Sequence, residues 1–292
     1  MATITYNRPL DNFDLDRAAN VSTVTSATNN QISYSDGYYT STLKGSFIYT
    51  SSNVLGTITG ASYSAGGEDF FTVSGLSINM LRLKTDGFYD GNDTYNGSVG
   101  NDHFYAQLGD DVYNGGEGRD TVHYAADRSF FTVTANANGF TAKGLGKTDT
   151  LNSIERVVFD DATLALDVKA GDAAGSAYRA YQAAFDRKPD TAGLKYWVDK
   201  MDAGTSLTEV ALGFVQSAEF QKLHTATDTN SMITSFYQNV LHRAPDATGL
   251  AYWSNAASTG TQTHEMLAAF SESTENVNNT AAAIKNGIWL EV

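Results

Sequence analysis

The sequence predicts a multidomain chain of β structure followed by α structure. An N-terminal antiparallel β domain is expected over 1–87, a short parallel β-roll with a β cap over 88–168, and an all-α tandem repeat ending in a C-terminal tail over 169–292. Three observations predict this order. The first 87 residues are rich in Thr, Ser, Tyr, Ile and Gly and poor in helix punctuation. Residues 88–123 keep a nine-residue Gly/Asp register. From about Ala173 the texture turns Ala-rich and amphipathic and repeats with an offset of 56.

The N-terminal part carries segments such as Tyr38–Thr50 and Val54–Tyr63, β-branched and aromatic, with Gly and Asn between them. Such runs fit a pleated, half-buried surface and read as hairpins.

The register follows when 88–123 is set out in nines: FYDGNDTYN, GSVGNDHFY, AQLGDDVYN, GGEGRDTVH. The fourth position is Gly91, Gly100, Gly109 and Gly118; the sixth is Asp93, Asp102, Asp111 and Asp120. The eighth is always large and apolar: Tyr95, Phe104, Tyr113 and Val122. Each Gly or Asp match has a chance of about one in ten or less, so unbroken register is not compositional accident. A flexible Gly/Asn/Asp linker would explain the composition but not the apolar residue at every ninth step.

The stretch resembles the RTX, or hemolysin-type calcium-binding, nonapeptide repeat G-G-x-G-x-D-x-U-x. Its last unit, opening on Gly115 and Gly116, matches every specified position, whereas the first three units depart at their first two. The resemblance implies a six-residue loop and a three-residue strand per unit, two units per coil, and stacked loops n and n+2 sharing an ion. That pairs Asp93 with Asp111 and Asp102 with Asp120, with Gly91, Gly100, Gly109, Gly115, Gly116 and Gly118 shaping the loops. About two calcium ions are expected. Gly supplies positive φ and leaves carbonyls accessible, and Asp supplies the hard anionic oxygen that calcium takes in shells of six to eight. Interior Asp111 is expected to matter more than terminal Asp93. Without calcium the clustered carboxylates repel, and metal binding supplies folding energy.

Residues 149–167 (DTLNSIERVVFDDATLALD) resemble the β segment that follows such repeats and are expected to cap the roll. Ile154, Val157, Phe159, Leu164 and Leu166 would face the core.

In the C-terminal part, YQAAFDRKPDTAGLKYW at 181–197 aligns with YQNVLHRAPDATGLAYW at 237–253. Each unit reads as helix, Pro-Asp turn, helix, loop, helix. Pro189 and Pro245 would stop one helix, and Asp190 and Asp246 would cap the next. Ser206 and Glu209 have capping-box spacing. Trp197 and Trp253 are expected as core anchors, and Arg187/Glu219 and Arg243/Glu275 as ion pairs. The tandem resembles a helical domain of unknown function present in several copies in bacterial secreted and surface-layer proteins.

Composition narrows the function. Acidic residues number 33 against 19 Lys and Arg, a net charge of −14, which argues against nucleic acid and anionic membrane as partners. With no cysteine, disulfides, thiolate sites and a cysteine nucleophile are excluded. No apolar run reaches the ~20 residues of a spanning helix. His264-Glu265 lacks the second His of H-E-x-x-H, and no G-x-S-x-G occurs. The five histidines form no short-spaced set, and His103 and His123 fall at outward roll positions. The start MATITYNRPL carries no apolar leader, and the end GIWLEV looks like a type I secretion tail. The expectation is a noncatalytic, calcium-dependent extracellular or surface protein of a Gram-negative bacterium, exported by type I secretion and serving in a surface layer, biofilm matrix or adhesion. Calcium and copies of itself, other matrix components or polysaccharide would be its partners. The alternative is a secreted effector, enzyme or carbohydrate-binding protein with its site in the N-terminal β domain, where Tyr34, Tyr38, Tyr39 and Tyr49 are candidates for sugar stacking.

Overall fold

In a computed structural model, residues 2–7, 23–51, 54–80, 91–225 and 228–290 are described. They form two compact units, 1–161 and 162–292. The expected limit at 87/88 therefore lies inside the first unit, though residues 81–90 themselves are outside the described set. Residues 162–168, expected in the cap, go with the helices.

The first unit opens on β1 (Thr3–Tyr6), then runs through β2 (Val24–Ala27), β3 (Gln31–Ser35), β4 (Tyr39–Tyr49), β5 (Val54–Ala65) and β6 (Glu68–Asn79). Strands β2 to β6 make an antiparallel meander, and β1 pairs antiparallel with β6. This is the expected domain of hairpins. Gly66 and Gly67 (φ +61° and +92°) turn β5 into β6, the two positive dihedrals that a tight hairpin requires.

Four three-residue strands follow at intervals of nine: β7 (Thr94–Asn96), β8 (His103–Tyr105), β9 (Val112–Asn114) and β10 (Thr121–His123). Strand β7 pairs parallel with β9, and β8 with β10, each across 18 residues. Successive units thus alternate between two walls, as the coil scheme requires. Tyr95, Phe104, Tyr113 and Val122 are all buried. Tyr95 stacks on Tyr113 along one wall at 4.8 Å, and Phe104 from the other wall meets Tyr113 at 5.7 Å.

Strand β1 also pairs parallel with β7, Thr3 opposite Thr94. At the far end the chain leaves the roll for an antiparallel hairpin of β11 (Phe131–Ala135) and β12 (Phe140–Gly144), then returns as β13 (Lys147–Asn152) and β14 (Arg156–Val158). Strand β13 lies parallel on β9, and β14 on β10. One wall is therefore part of an eleven-stranded sheet, β11-β12-β13-β9-β7-β1-β6-β5-β4-β3-β2. All five core residues expected of 149–167 are buried.

The second unit holds β15 (Thr163–Ala165) paired antiparallel with β16 (Ile288–Leu290). Between them lie eight helices: α1 (Ala173–Phe185), α2 (Thr191–Asp202), α3 (Leu207–Gln216), α4 (Ala218–Leu223), α5 (Thr229–Leu241), α6 (Ala247–Ser258), α7 (Thr263–Ser271) and α8 (Thr274–Ile284). Each repeat has four helices rather than the expected three, because Ser217 and Ser273 cap a new helix start where one continuous helix was anticipated. Helices α1 and α5 end at the left-handed residues Asp186 and His242, before Pro189 and Pro245 are reached. Asp190 and Asp246 cap α2 and α6, and Ser206 with Glu209 makes the capping box. Trp197 packs on Phe214 and Trp253 on Phe270, both with centroids at 5.0 Å. Both expected ion pairs form at 2.8 Å. In the expected C-terminal tail, Ile288–Leu290 is strand β16, and Glu291 and Val292 lie outside the described residues.

Candidate metal centre

The four repeat aspartates are buried although they carry carboxylates, from 0% exposed at Asp102 and Asp120 to 3% at Asp93. Their placement follows from the loops. Gly109 and Gly118, with φ near +117°, lie against the main chain of Gly91 and Gly100 one coil below, and Gly116 faces the Ser98 carbonyl. A Cβ at Gly109 would collide with that backbone, so glycine is what lets loops stack 18 residues apart.

Stacking sets each aspartate in a ladder. Asp111 Oδ1 accepts from the Asp93 amide at 2.9 Å, and Asp120 Oδ1 from the Asp102 amide at 2.8 Å. The structure thus brings together the two pairs expected from the register. Position five runs a second ladder, with Asn92 accepting from the Asp110 amide and Asn101 from the Arg119 amide. Side-chain amides form a third, Asn152 to Asn114 at 2.8 Å and Asn114 to Asn96 at 2.9 Å.

The remaining carboxylate oxygens decide what the site can do. Asp93 Oδ2, Asp102 Oδ1 and Asp120 Oδ2 are buried and make no hydrogen bond. A buried polar atom without a partner costs about 1–3 kcal/mol, more when charged. Burying one inward aromatic contributes about 1.5–3 kcal/mol, the same size. The cost shows in protonation. Burial pushes Asp102 up, Asp111 to about 6, helped by Asp149 and Asp93, and Asp120 to about 7, helped by Glu155 and Asp102. Hard, partnerless oxygens on stacked glycine loops fit a calcium ion. Asp93, Asp102, Asp111 and Asp120 are the residues that would hold it. Among the described residues no three His, Asp or Glu side chains cluster closely enough to hold a metal by themselves, and main-chain carbonyls of the glycine loops would be the remaining oxygen ligands.

The two edges differ. Asp111 Oδ2 already accepts from the Tyr113 hydroxyl at 3.1 Å, so Asp111 offers less to an ion than interior position alone implies. Asp102 Oδ2 is held by the Ser98 amide and hydroxyl, at 2.6 and 3.0 Å.

Sequence reasoning missed two members of the ladders. Asp149 Oδ1 accepts from the Asp111 amide at 3.0 Å, and Glu155 Oε2 from the Asp120 amide at 2.8 Å. The signal was local. DTLN at 149–152 repeats DTYN at 93–96 and DVYN at 111–114, but at a spacing that a search in nines passes over. Asp149 Oδ2 accepts from the Tyr124 hydroxyl at 2.8 Å and lies 3.2 Å from Lys147 Nζ.

His103 is exposed and His123 half-buried, as outward positions require, but the two side chains meet. His103 Nδ1 and His123 Nε2 are 2.9 Å apart, and Tyr105 stacks on His123. Burial and the neighbouring His103 push His123 down to about 4, and burial pushes His103 down as well. His224 bonds Ser235 and the Ala184 carbonyl, and Glu265 is spent on a capping box with Gln262.

Comparison with known proteins agrees with this geometry. A family model described as the RTX calcium-binding nonapeptide repeat, in four copies, matches residues 89–122. The chain carries the RTX repeat. A second model, a domain of unknown function (DUF4214), matches 176–224 and 214–280, the two halves of the helical tandem. RTX repeats bind calcium, and no described helix is long and apolar enough to cross a membrane. No curated protein matches the chain. Among solved structures, the extracellular lipase LipA of Serratia marcescens aligns at 18% identity over 27% of this chain and 16% of its own, with a TM-score of 0.18.

Proposed function

We propose that this protein is a noncatalytic, calcium-dependent structural component of the outside of a Gram-negative cell, in a surface layer, matrix or adhesive contact, exported by type I secretion. One observation carries the reading: three buried carboxylate oxygens in stacked glycine loops without a partner of their own. Such a roll is incomplete until a divalent cation arrives. Extracellular calcium modules bind at about 10⁻⁴–10⁻³ M, so the roll folds where calcium is plentiful and stays pliable for export where it is scarce. Two ions are held, one between Asp93 and Asp111 and one between Asp102 and Asp120.

Assembly is supported by β2, the last strand of its sheet among the described residues, all four of whose residues are exposed. A bare edge offers backbone donors and acceptors to another chain. Calcium also relieves part of the repulsion from a net charge of −14.

The carbohydrate or effector alternative draws on Tyr38, 61% exposed. Its neighbours favour it less. Tyr39 is buried, and the Tyr49 hydroxyl is tied to the Thr28 carbonyl at 2.7 Å.

Analytical ultracentrifugation in chelator and then in millimolar calcium tests assembly. Association on calcium addition is expected; a sharp monomer in both conditions moves the weight to the alternative.

A further inference from the structure

The roll does not end where its repeats end. The turn at 153–155 reproduces, on the Asp120 edge, the surroundings that the fourth repeat gives Asp102. The Thr121 amide donates to the Asp102 carbonyl at 2.9 Å, and the Arg156 amide donates to the Asp120 carbonyl at 3.0 Å. The Gly97 amide donates to the Asn114 carbonyl at 2.7 Å, and the Gly115 amide to the Asn152 carbonyl at 2.9 Å. Asp120 accepts from the Asp102 amide, and Glu155 accepts from the Asp120 amide, both at 2.8 Å. A methyl group on Gly97 would meet the Gly115 carbonyl and Asp102 Oδ2; one on Gly115 would meet the Ser153 carbonyl and Asp120 Oδ2. Ser153 adopts φ +49°, a left-handed conformation that the loop glycines otherwise supply.

One difference between the rungs points to a ligand. Ser98, second in its repeat, holds Asp102 Oδ2 through amide and hydroxyl. Gly116 stands second in the last repeat and has no hydroxyl. Asp120 Oδ2 is left buried and partnerless beside the Ser153 carbonyl. We propose that Asp120, Glu155 and the Ser153 carbonyl form a cation site for calcium that no repeat encodes, one rung beyond the Asp102–Asp120 pair.

The opposite edge closes without an ion. Asp111 and Asp149 take the hydroxyls of Tyr113 and Tyr124, and Lys147 supplies the positive charge.

The inference rests on the calcium reading above, and the test separates the two. Calcium binding to the full chain is followed by titration calorimetry for the parent, Glu155→Gln and Asp102→Asn. The Gln variant keeps the length and an oxygen to accept the Asp120 amide but loses the charge. It is expected to bind one ion fewer per chain, or to bind one ion at least tenfold more weakly, with the others unchanged. Binding by Glu155→Gln identical to the parent in count and affinity, while Asp102→Asn is impaired, overturns this site and leaves the calcium reading standing. No binding by the parent overturns both. Should Glu155→Gln not fold in calcium, Glu155→Asp, which keeps the charge and retracts it by one methylene, is read in the same way.

Discussion

Both halves of the molecule are built from repeats, yet they treat acidic groups in opposite ways. In the helical tandem every carboxylate in the repeated core brings its own donor. Glu219 takes Arg187 and Glu275 takes Arg243, both at 2.8 Å. Asp190 accepts from the Tyr181 hydroxyl and the Gly193 amide, and these donors hold its carboxyl below the usual range. In the roll the sense is reversed. Burial holds Asp120 up at about 7, and one of its oxygens has no donor at all. One repeat carries its counter-charge in the sequence, whereas the other leaves it to the medium. The difference teaches where each region's stability is stored, and it gives the order of experiments that follow.

Removing calcium should have the largest effect. Hydrogen exchange of the full chain in chelator is expected to strip protection from 91–124 and 147–158 while 173–284 keep theirs. Simultaneous loss in both would mean one cooperative unit and would erase the contrast. Next in size is Arg179→Met. Arg179 is 1% exposed and bonds Glu272 at 2.6 Å, and breaking a buried pair costs about 3–5 kcal/mol. Denaturant melting followed by helical signal, in chelator, reads it directly. Unaltered helical stability would show that this pair does not anchor the tandem.

Asp120→Asn should weaken calcium binding about tenfold or more, on the order of 1.4 kcal/mol per tenfold. Asp111→Asn should do less, because Tyr113 already serves its second oxygen. Calorimetry on both variants orders them, and equal losses would deny the difference between the edges.

The raised carboxyls of Asp111 and Asp120 also set a pH dependence. A carboxyl pushed up by folding favours the protonated folded state, so stability of the ion-free roll is full below the ordinary carboxylate range. It falls as pH rises through about 6 to 7. Calcium binding runs the other way, since protons compete for the same oxygens, and affinity should climb over that interval. Exchange in chelator at pH 5 and 8, and calorimetry at pH 6 and 8, check the two signs. The smallest effect belongs to Arg187→Ala and Arg243→Ala. Both pairs are about 40% exposed, and each substitution should shift the thermal melt only slightly, because solvent screens such pairs.

The parts of this contrast legible in the sequence were those with a constant step. Nine residues separate Asp93, Asp102, Asp111 and Asp120, and 56 separate Arg187 from Arg243. That residues 149–167 cap the roll was legible, but which strands join it at either end was not. Strand β1 joins it from far upstream, and β13 returns after the hairpin of β11 and β12, so neither keeps step with the nines. The split of each third helix was missed because a single serine, Ser217 or Ser273, is the only local mark of the restart. The bonds from the Phe220 amide to Ser217 and from the Asn276 amide to Ser273 mark the restarts. The pairing of His103 with His123 crosses 20 residues between neighbouring strands, which needs the parallel register before it can be seen.

The ladder of Asn96, Asn114 and Asn152 carries a consequence for how such a molecule can grow. Each rung is a whole coil, so the roll has a quantum of length. A tandem duplication of 18 residues between Asn96 and Asn114 adds one amide to the line and delivers β13 to the same wall as before. A duplication of nine reverses the walls, and the hairpin and cap arrive on the wrong side. Inheritance by slippage is therefore filtered by parity: even numbers of units extend the roll and odd numbers break it.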